Sequence, residues 1–538
     1  MLSRRRFLQS TIAGLAFRPQ PGRTIAADVA IIGGGTGGCA AALAALSMNC
    51  KVIMTEPTDW IGGQFTQQGV PPDENSWIES FGGTQSYLKF RSAIRRYYRQ
   101  AYPLRLPELE NLNPGACGVS RLCHEPHVAL AVFRQLLAPY ISSGQLTIIT
   151  QATPAAASIS ADRVESVRLK GTDTTIAARF FLDATEDGAL LPLTGTEYVQ
   201  GAEEDSEELH ASQRPGAANM QAPTWCFAME YRPGEDHTIT RPASYDFWNS
   251  YIPPISPPWP GKLFSLTYSH PITLEPRTAS FDPRPGAETE HFNLWTYRRL
   301  IDPALFEPGT YAGGISLVNW PQNDYIEGNL FGDHDVAGHL QQARELSRAL
   351  FYWLQTEVPR EDGGQGWPGL RLRGDILGTS DGLAKAPYIR ESRRIRARFT
   401  VREDHVGQEA RGNAARAAQF DDSVGIGSYR IDLHPSTGGD NYIDVASWPF
   451  QIPLGALVPE RMQNLVPACK NIGVTHITGG CYRLHPVEWN IGEAAGALAA
   501  YCLAHNTSPQ GVYERRVADF QRVLVDRGVP LAWPETIY

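Results

Sequence analysis

Val29 to Ile32 form an unbroken apolar run that stops at Gly33, Gly34 and Gly35. A short run of this kind, rich in β-branched residues and closed by glycines, predicts a buried strand. Cys39 to Leu46 is an alanine-rich stretch whose small side chains predict a helix packed closely on a sheet. Lys51 to Thr55 predicts a second strand ending on Glu56. Later, Leu146 to Asp183 alternates in short runs, as a strand meander does, and closes on "DATEDG". Cys123 to Tyr140 has the spacing of an amphipathic helix, and Asn464 to Ala500 reads as strand, loop and a second glycine-alanine helix.

The first strand-helix-strand unit carries chemistry because Gly33, Gly35 and Gly38 fit G-x-G-x-x-G. Glycine permits the tight turn and close backbone approach, while the helix N-terminus attracts a diphosphate. Glu56, about 20 residues on, is placed to accept ribose hydroxyls. A dinucleotide site follows, with NAD and FAD both open at this point.

"WIGGQFTQQGV" then supplies a loop able to follow a ribityl chain toward a flavin ring. With the meander and the C-terminal helix, the order of parts resembles the FAD-dependent oxidoreductases of the glutathione-reductase-like superfamily, in a bacterial branch. "GGTQSYLKFR", "PYIRESRRI" and "RLHPVEWNIGEAAG" carry the likeness, which runs from Asp28 to about Ala500. The resemblance implies an α/β fold: a Rossmann-like FAD-binding domain, a parallel sheet with a β-meander, plus an inserted α+β substrate domain. It implies that Gly33, Gly35, Thr36, Gly37 and Gly38 cradle the diphosphate and that Glu56 binds the adenosine ribose. Gly63 and Gln64 would lie beside the ribityl chain or ring, Ala152 beside the adenine through its backbone, Thr185 at the crossover, and Gly492 in the last helix at the cofactor. "DATEDG" departs from many relatives, which have glycine where this chain has Glu186.

The expected organisation is an export segment at 1–27, FAD-binding parts at 28–216 and 464–505, a substrate domain at 217–375, a connecting flavin-facing segment at 376–463, and a C-terminal helix and tail at 506–538. Seven tryptophans between Trp225 and Trp367 mark the substrate domain and are read mainly as core filling. His124, Glu125 and His127 lack metal-ligand spacing, so no metal is expected. Arg390, Arg393 and Arg394 are expected to pair with carboxylates ahead of binding an anion.

Composition narrows the partners. Lys+Arg 48 against Asp+Glu 57 gives a net charge of -9, which argues against nucleic acid. "SRRRFL" at Ser3 to Leu8 matches a twin-arginine export signal, and the apolar stretch behind it is too short for stable membrane insertion. The expected location is periplasmic, with the cytoplasm as the alternative. Of eight cysteines none forms C-x-x-C; an oxidising compartment permits Cys117 to pair with Cys123, and buried free thiols suit most others.

"HPVEWN" opens the last helix, whose N-terminus would favour negative charge on a reduced flavin. His485 is therefore expected as the base that takes a substrate proton, ahead of His434 and His476, which do not adjoin this helix, with Glu488 as its acid partner and Trp489 on the ring or pocket wall. The function expected is FAD-dependent oxidation of a small polar, hydroxylated or carbohydrate substrate, with oxygen or a periplasmic carrier as electron acceptor. An NAD(P)H-driven reductase or monooxygenase is the second reading, and a flavin-containing binding protein without turnover the third.

Overall fold

The computed structural model describes residues 22–204, 206–332 and 335–537; the Ser3 to Leu8 motif lies outside them. Strand β1 (Thr24–Ile32) begins four residues ahead of Asp28, so the FAD-binding part starts inside the expected export segment. β1 leads through the glycines into helix α1 (Thr36–Ser47), and β2 (Val52–Glu56) returns beside it. Helices α2 (Gln85–Ala101) and α3 (Pro126–Ser142) come before β3 (Leu146–Thr150). The meander is β4 (Thr153–Ser160), β5 (Arg163–Lys170) and β6 (Thr175–Asp183).

These strands form a sheet ordered β3-β2-β1-β6-β5-β4. β1, β2, β3 and β6 are parallel, and β4 and β5 run antiparallel on the far side. Val29 to Ile32 are fully buried, as a central parallel strand covered on both faces requires.

The inserted part forms a separate antiparallel sheet from β7 (Phe227–Tyr231), β8 (Arg299–Ile301), β9 (Ile315–Val318) and β10 (Leu370–Leu372), ordered β8-β9-β7-β10. Helix α4 (Val336–Thr356) accompanies it, and all seven tryptophans from Trp225 to Trp367 are buried, as core filling. A two-stranded ribbon, β11 (Ile431–Leu433) and β12 (Ile443–Val445), precedes the return to the first sheet. There β13 (Leu465–Pro467) adds parallel to β6, followed by α5 (His476–Tyr482) and α6 (His485–His505). The α/β architecture with an inserted α+β domain is therefore present. Among the described residues no helix is long and apolar enough to cross a membrane.

Cys117 and Cys123 are disulfide-bonded, and the other six cysteines are free and buried. The bridged loop lies against the inserted domain, where the N–H groups of Gly118 and Val119 donate to the carbonyls of Thr296 and Tyr297.

Helices α1 and α6 touch backbone to backbone. A Cβ on Gly492 would stand 2.1 Å from the Gly37 carbonyl oxygen, and one on Gly496 2.2 Å from that of Ala41. Side chains at these positions would push the helices apart, so Gly492 serves helix packing. Gly492→Val should destabilise the fold by about 1–3 kcal/mol or more through overpacking, and so lower the melting temperature. Gly479→Ala is the control, since nothing lies within 4 Å of its added Cβ and it should leave the melting temperature unchanged or raised. Thermal unfolding of both variants checks this.

Candidate active site

Two polar clusters meet at the N-terminus of α6. The first surrounds the glycine turn. Gly33, at φ 107°, turns the chain out of β1, and its N–H donates to Thr55 Oγ1 at 3.2 Å. Glu56 ends β2 buried; its Oε1 accepts from the Thr58 N–H and hydroxyl, both at 2.8 Å, and its Oε2 faces Gly34. Burial pushes its carboxyl up to about 7 against those hydrogen bonds, with the Glu186 charge adding to the rise. Ala152 donates its N–H to the Glu56 carbonyl at 3.0 Å, so that N–H is already committed and its carbonyl is the group left for an adenine. Thr185 caps the end of β6 by donating to Asp183 at 2.7 Å, and its hydroxyl oxygen accepts the Ala189 N–H.

At the start of α1, the Gly37 N–H donates to Glu488 Oε1 at 3.2 Å. Thr36 donates to the Gly62 carbonyl at 3.1 Å, tying the helix to the loop that holds Gly63. Gln64 Nε2 donates to Glu488 Oε2 at 2.6 Å and to the Arg483 carbonyl at 2.8 Å. Lys470 completes the group: it ion-pairs with Glu186 and lies 3.7 Å from Glu488 Oε2. Burial opposes its charge, but the Cys469 thiol and the two carboxylates outweigh that and hold the ammonium well above the ordinary lysine range. Burial raises the Glu488 carboxyl, with Lys470 opposing.

This cradle fits a dinucleotide. Its helix N-terminus already holds an anionic carboxylate, and a Cβ on Gly35 would come within 2.8 Å of Glu186 Oε1. Glu186, Cys469 and Glu488 also bring three ligand-type atoms within 4.8 Å of one another, yet the Lys470 ammonium among them disfavours a cation.

The expected pair of His485 and Glu488 is not formed. His485 turns to the Val70–Asp73 loop, where Nδ1 accepts the Asp73 N–H at 3.1 Å and Nε2 donates to the Val70 carbonyl at 3.3 Å. Its ring edge meets Phe65, and burial, with Arg298 adding, holds its pKa well below that of an ordinary imidazole. Both nitrogens are committed, so the ring is a neutral brace. Glu488 faces the cradle, and Trp489 is core, packed on Phe90 and Phe133 with Nε1 donating to Ser86.

The second cluster was not read from the sequence as a unit. His434 Nδ1 pairs with Asp324 Oδ2 at 2.6 Å. Asp324 is buried and held by Arg390 at 3.1 Å and by the Thr224 hydroxyl. His434 Nε2 is 4.0 Å from Asp432, outside hydrogen-bond range. Asp432 binds Arg483 at 3.0 Å, Arg483 reaches the Tyr388 hydroxyl at 3.3 Å, and Tyr388 donates to Gln64 Oε1 at 3.1 Å. The chain of hydrogen bonds thus runs from Asp432, 4.0 Å from His434 Nε2, to the cradle. Arg298, paired with Asp73 at 3.1 Å, lies beside it.

Arg298, Arg390 and Arg483 each keep a buried Nε–H without a partner, and neither atom of the Gln68 amide has one. Buried polar groups left open in this way call for a ligand or water. Burial and the Arg390 charge lower the His434 pKa, with Asp324 opposing. Elsewhere the arginines pair as expected: Arg394 with Glu391 and Glu203, and Arg393 with Asp187. His476 is taken up by Glu391, and Glu125 by the hydroxyls of Tyr98, Tyr102 and Tyr311.

The sequence pattern of FAD dependent oxidoreductases matches residues 28–524. The chain belongs to the FAD dependent oxidoreductase family. It is by family an FAD-dependent oxidoreductase, with FAD as cofactor. No curated protein gives a match. Among solved structures this family member is similar to a geranylgeranyl bacteriochlorophyll reductase-like protein from Thermoplasma acidophilum, at 10% identity over 94% of this chain and 85% of that one, with a TM-score of 0.30. It is also similar to L-proline dehydrogenase from P. horikoshii, at 16% identity over 34% and 24% of the two chains with a TM-score of 0.17. L-alpha-glycerophosphate oxidase from Mycoplasma pneumoniae, with FAD bound, matches at 15% identity over 40% and 63% with a TM-score of 0.22. The oxidoreductase therefore spans less than two thirds of the length of the last two, and the family match alone carries the assignment.

The Asp324–Arg390 pair has both side chains only 2% exposed. Arg390→Met should leave a buried carboxylate uncompensated and cost about 3–5 kcal/mol. A clear fall in melting temperature of the FAD-loaded protein checks it.

Proposed function

We propose that this oxidoreductase oxidises a small hydroxylated substrate, of which carbohydrates are one class, by hydride transfer to FAD, with His434 as the base. The His434–Asp324 pair carries the reading, because it leaves one imidazole nitrogen uncommitted inside a cluster joined to the cradle. The Gly33–Gly38 turn and the α1 N-terminus would hold the diphosphate, Glu56 the ribose, and Gly63 and Gln64 the flavin side. The strand order with its meander supports placement in the glutathione-reductase-like superfamily. When bound, FAD would accept the hydride, two electrons and one proton together, from the substrate carbon.

The chain's own residues handle the proton. His434 Nε2 takes it from the substrate hydroxyl, Asp324 fixes the ring through Nδ1, and the carboxylate steadies the imidazolium that results. The lowered His434 pKa keeps the ring neutral and ready at pH 7. The open N–H groups of Arg298 and Arg483 would accommodate the substrate's oxygens, while Asp73 and Asp432 balance their charge.

His434→Ala should retain FAD and slow substrate-driven flavin reduction by about 10²-fold or more. In the native enzyme the rate should fall only as the pH drops below an ordinary histidine's range, since the base must be unprotonated and its pKa is lowered. Anaerobic rapid mixing with hydroxylated donors measures this step. A variant as fast as the native enzyme would remove His434 from the chemistry. Flavin that bleaches with NAD(P)H but with no hydroxylated donor would instead select the nicotinamide-driven reading.

Export is the second part of the proposal. The Ser3–Leu8 motif supports twin-arginine transport of the folded enzyme to the periplasm, and the Cys117–Cys123 bridge suits an oxidising compartment. Oxygen or a periplasmic carrier would then reoxidise the flavin. Changing Arg4 and Arg5 to lysine should hold the enzyme in the cytoplasm, as cell fractionation would show; unchanged periplasmic yield would count against export.

A further inference from the structure

Lys470 and Glu186 stand out in the cradle because neither belongs to the glycine motif. Lys470 Nζ ion-pairs with Glu186 Oε2, lies 3.7 Å from Glu488 Oε2 and donates to Cys469 Sγ at 3.4 Å. The other Glu186 oxygen, Oε1, is buried without a hydrogen-bond partner. It hangs over the turn: a Cβ on Gly35 would lie 2.8 Å from it and one on Gly63 3.1 Å. The glycines thus keep open a space that one carboxylate oxygen enters with nothing to bind it.

Resting on the FAD assignment, we propose that Lys470 is the counter-ion of the cofactor diphosphate and that Glu186 is a competing anion, which holds the lysine until FAD displaces it. The cradle has a single ammonium facing two carboxylates at a helix N-terminus, and a diphosphate arriving beside both would meet strong like-charge repulsion in a buried setting. One carboxylate must yield. Glu488 is fully enclosed and is held by the Gly37 N–H and by Gln64, whereas the Glu186 side chain is 19% exposed. Glu186 therefore turns toward solvent, and Lys470 exchanges a carboxylate for a phosphate oxygen. The exchange preserves the positive charge and adds the new anion to the helix dipole already present there.

The test is a titration of cofactor-stripped, full-length protein with FAD, followed by quenching of flavin fluorescence. Glu186→Gln should lower the dissociation constant by about tenfold, and Lys470→Gln should raise it by about tenfold or more. Lys470→Arg should stay within about threefold of the native value, which separates charge from folding. The deciding variant is the double one: Lys470→Gln must still weaken FAD binding when Glu186 is already glutamine. If it then has no effect, the lysine merely neutralises Glu186 and the proposal is overturned, as it also is if Glu186→Gln does not tighten binding. Native protein that fails to bind FAD, or binds FMN as tightly, would instead overturn the cofactor assignment at this cradle.

Discussion

The contact between α1 and α6 is the constraint on which the rest of the site depends. With Gly492 set against Gly37 and Gly496 against the backbone of Ala41, the two helices approach at backbone distance. That closeness lets Glu488 on one helix accept the Gly37 N–H of the other. It also sets Glu488 3.7 Å from Lys470 and brings Arg483 beside Gln64. A wider separation would leave the glycine turn facing solvent on one side, and the second polar cluster would lose its connection to it.

The clusters resolve their buried charge differently. Around His434 the charges are closely matched, with Arg390 facing Asp324, Arg483 facing Asp432 and Arg298 facing Asp73. Balanced pairs with leftover N–H donors suit a neutral ligand rich in oxygen better than an ion, because an added charge would upset every pair. The cradle has more carboxylates than ammonium groups, which is tolerable only where a helix N-terminus and a movable side chain share the load.

What the sequence made legible was local. The strand, glycine turn, helix and acidic residue lie within a short stretch, and each has a spacing that backbone geometry imposes, so the first parallel strands and the position of Glu56 at the end of β2 could be read directly. The meander was legible by alternation. His434 and Asp324 are separated by 110 positions and belong to unrelated segments, and no spacing rule joins them. His485 misled for the opposite reason. Its place at the start of a helix said where its backbone lies, but the Val70–Asp73 loop decides where its ring points. Lys470 carried one faint signal, a lysine three residues after an apolar strand, and only the fold puts Glu186 across from it.

The joining of α1 to α6 also sets a timetable for biosynthesis. Gly37 and Glu488 are 451 positions apart, so the first helix leaves the ribosome long before its partner exists. At about 5–20 residues per second the gap amounts to roughly 20–90 seconds. Throughout that interval the alanine face of α1 has no cover, and the nascent chain is exposed to chaperones, proteases and premature association. Closure of the cradle is necessarily a late event, completed only when nearly all of the polypeptide has been made.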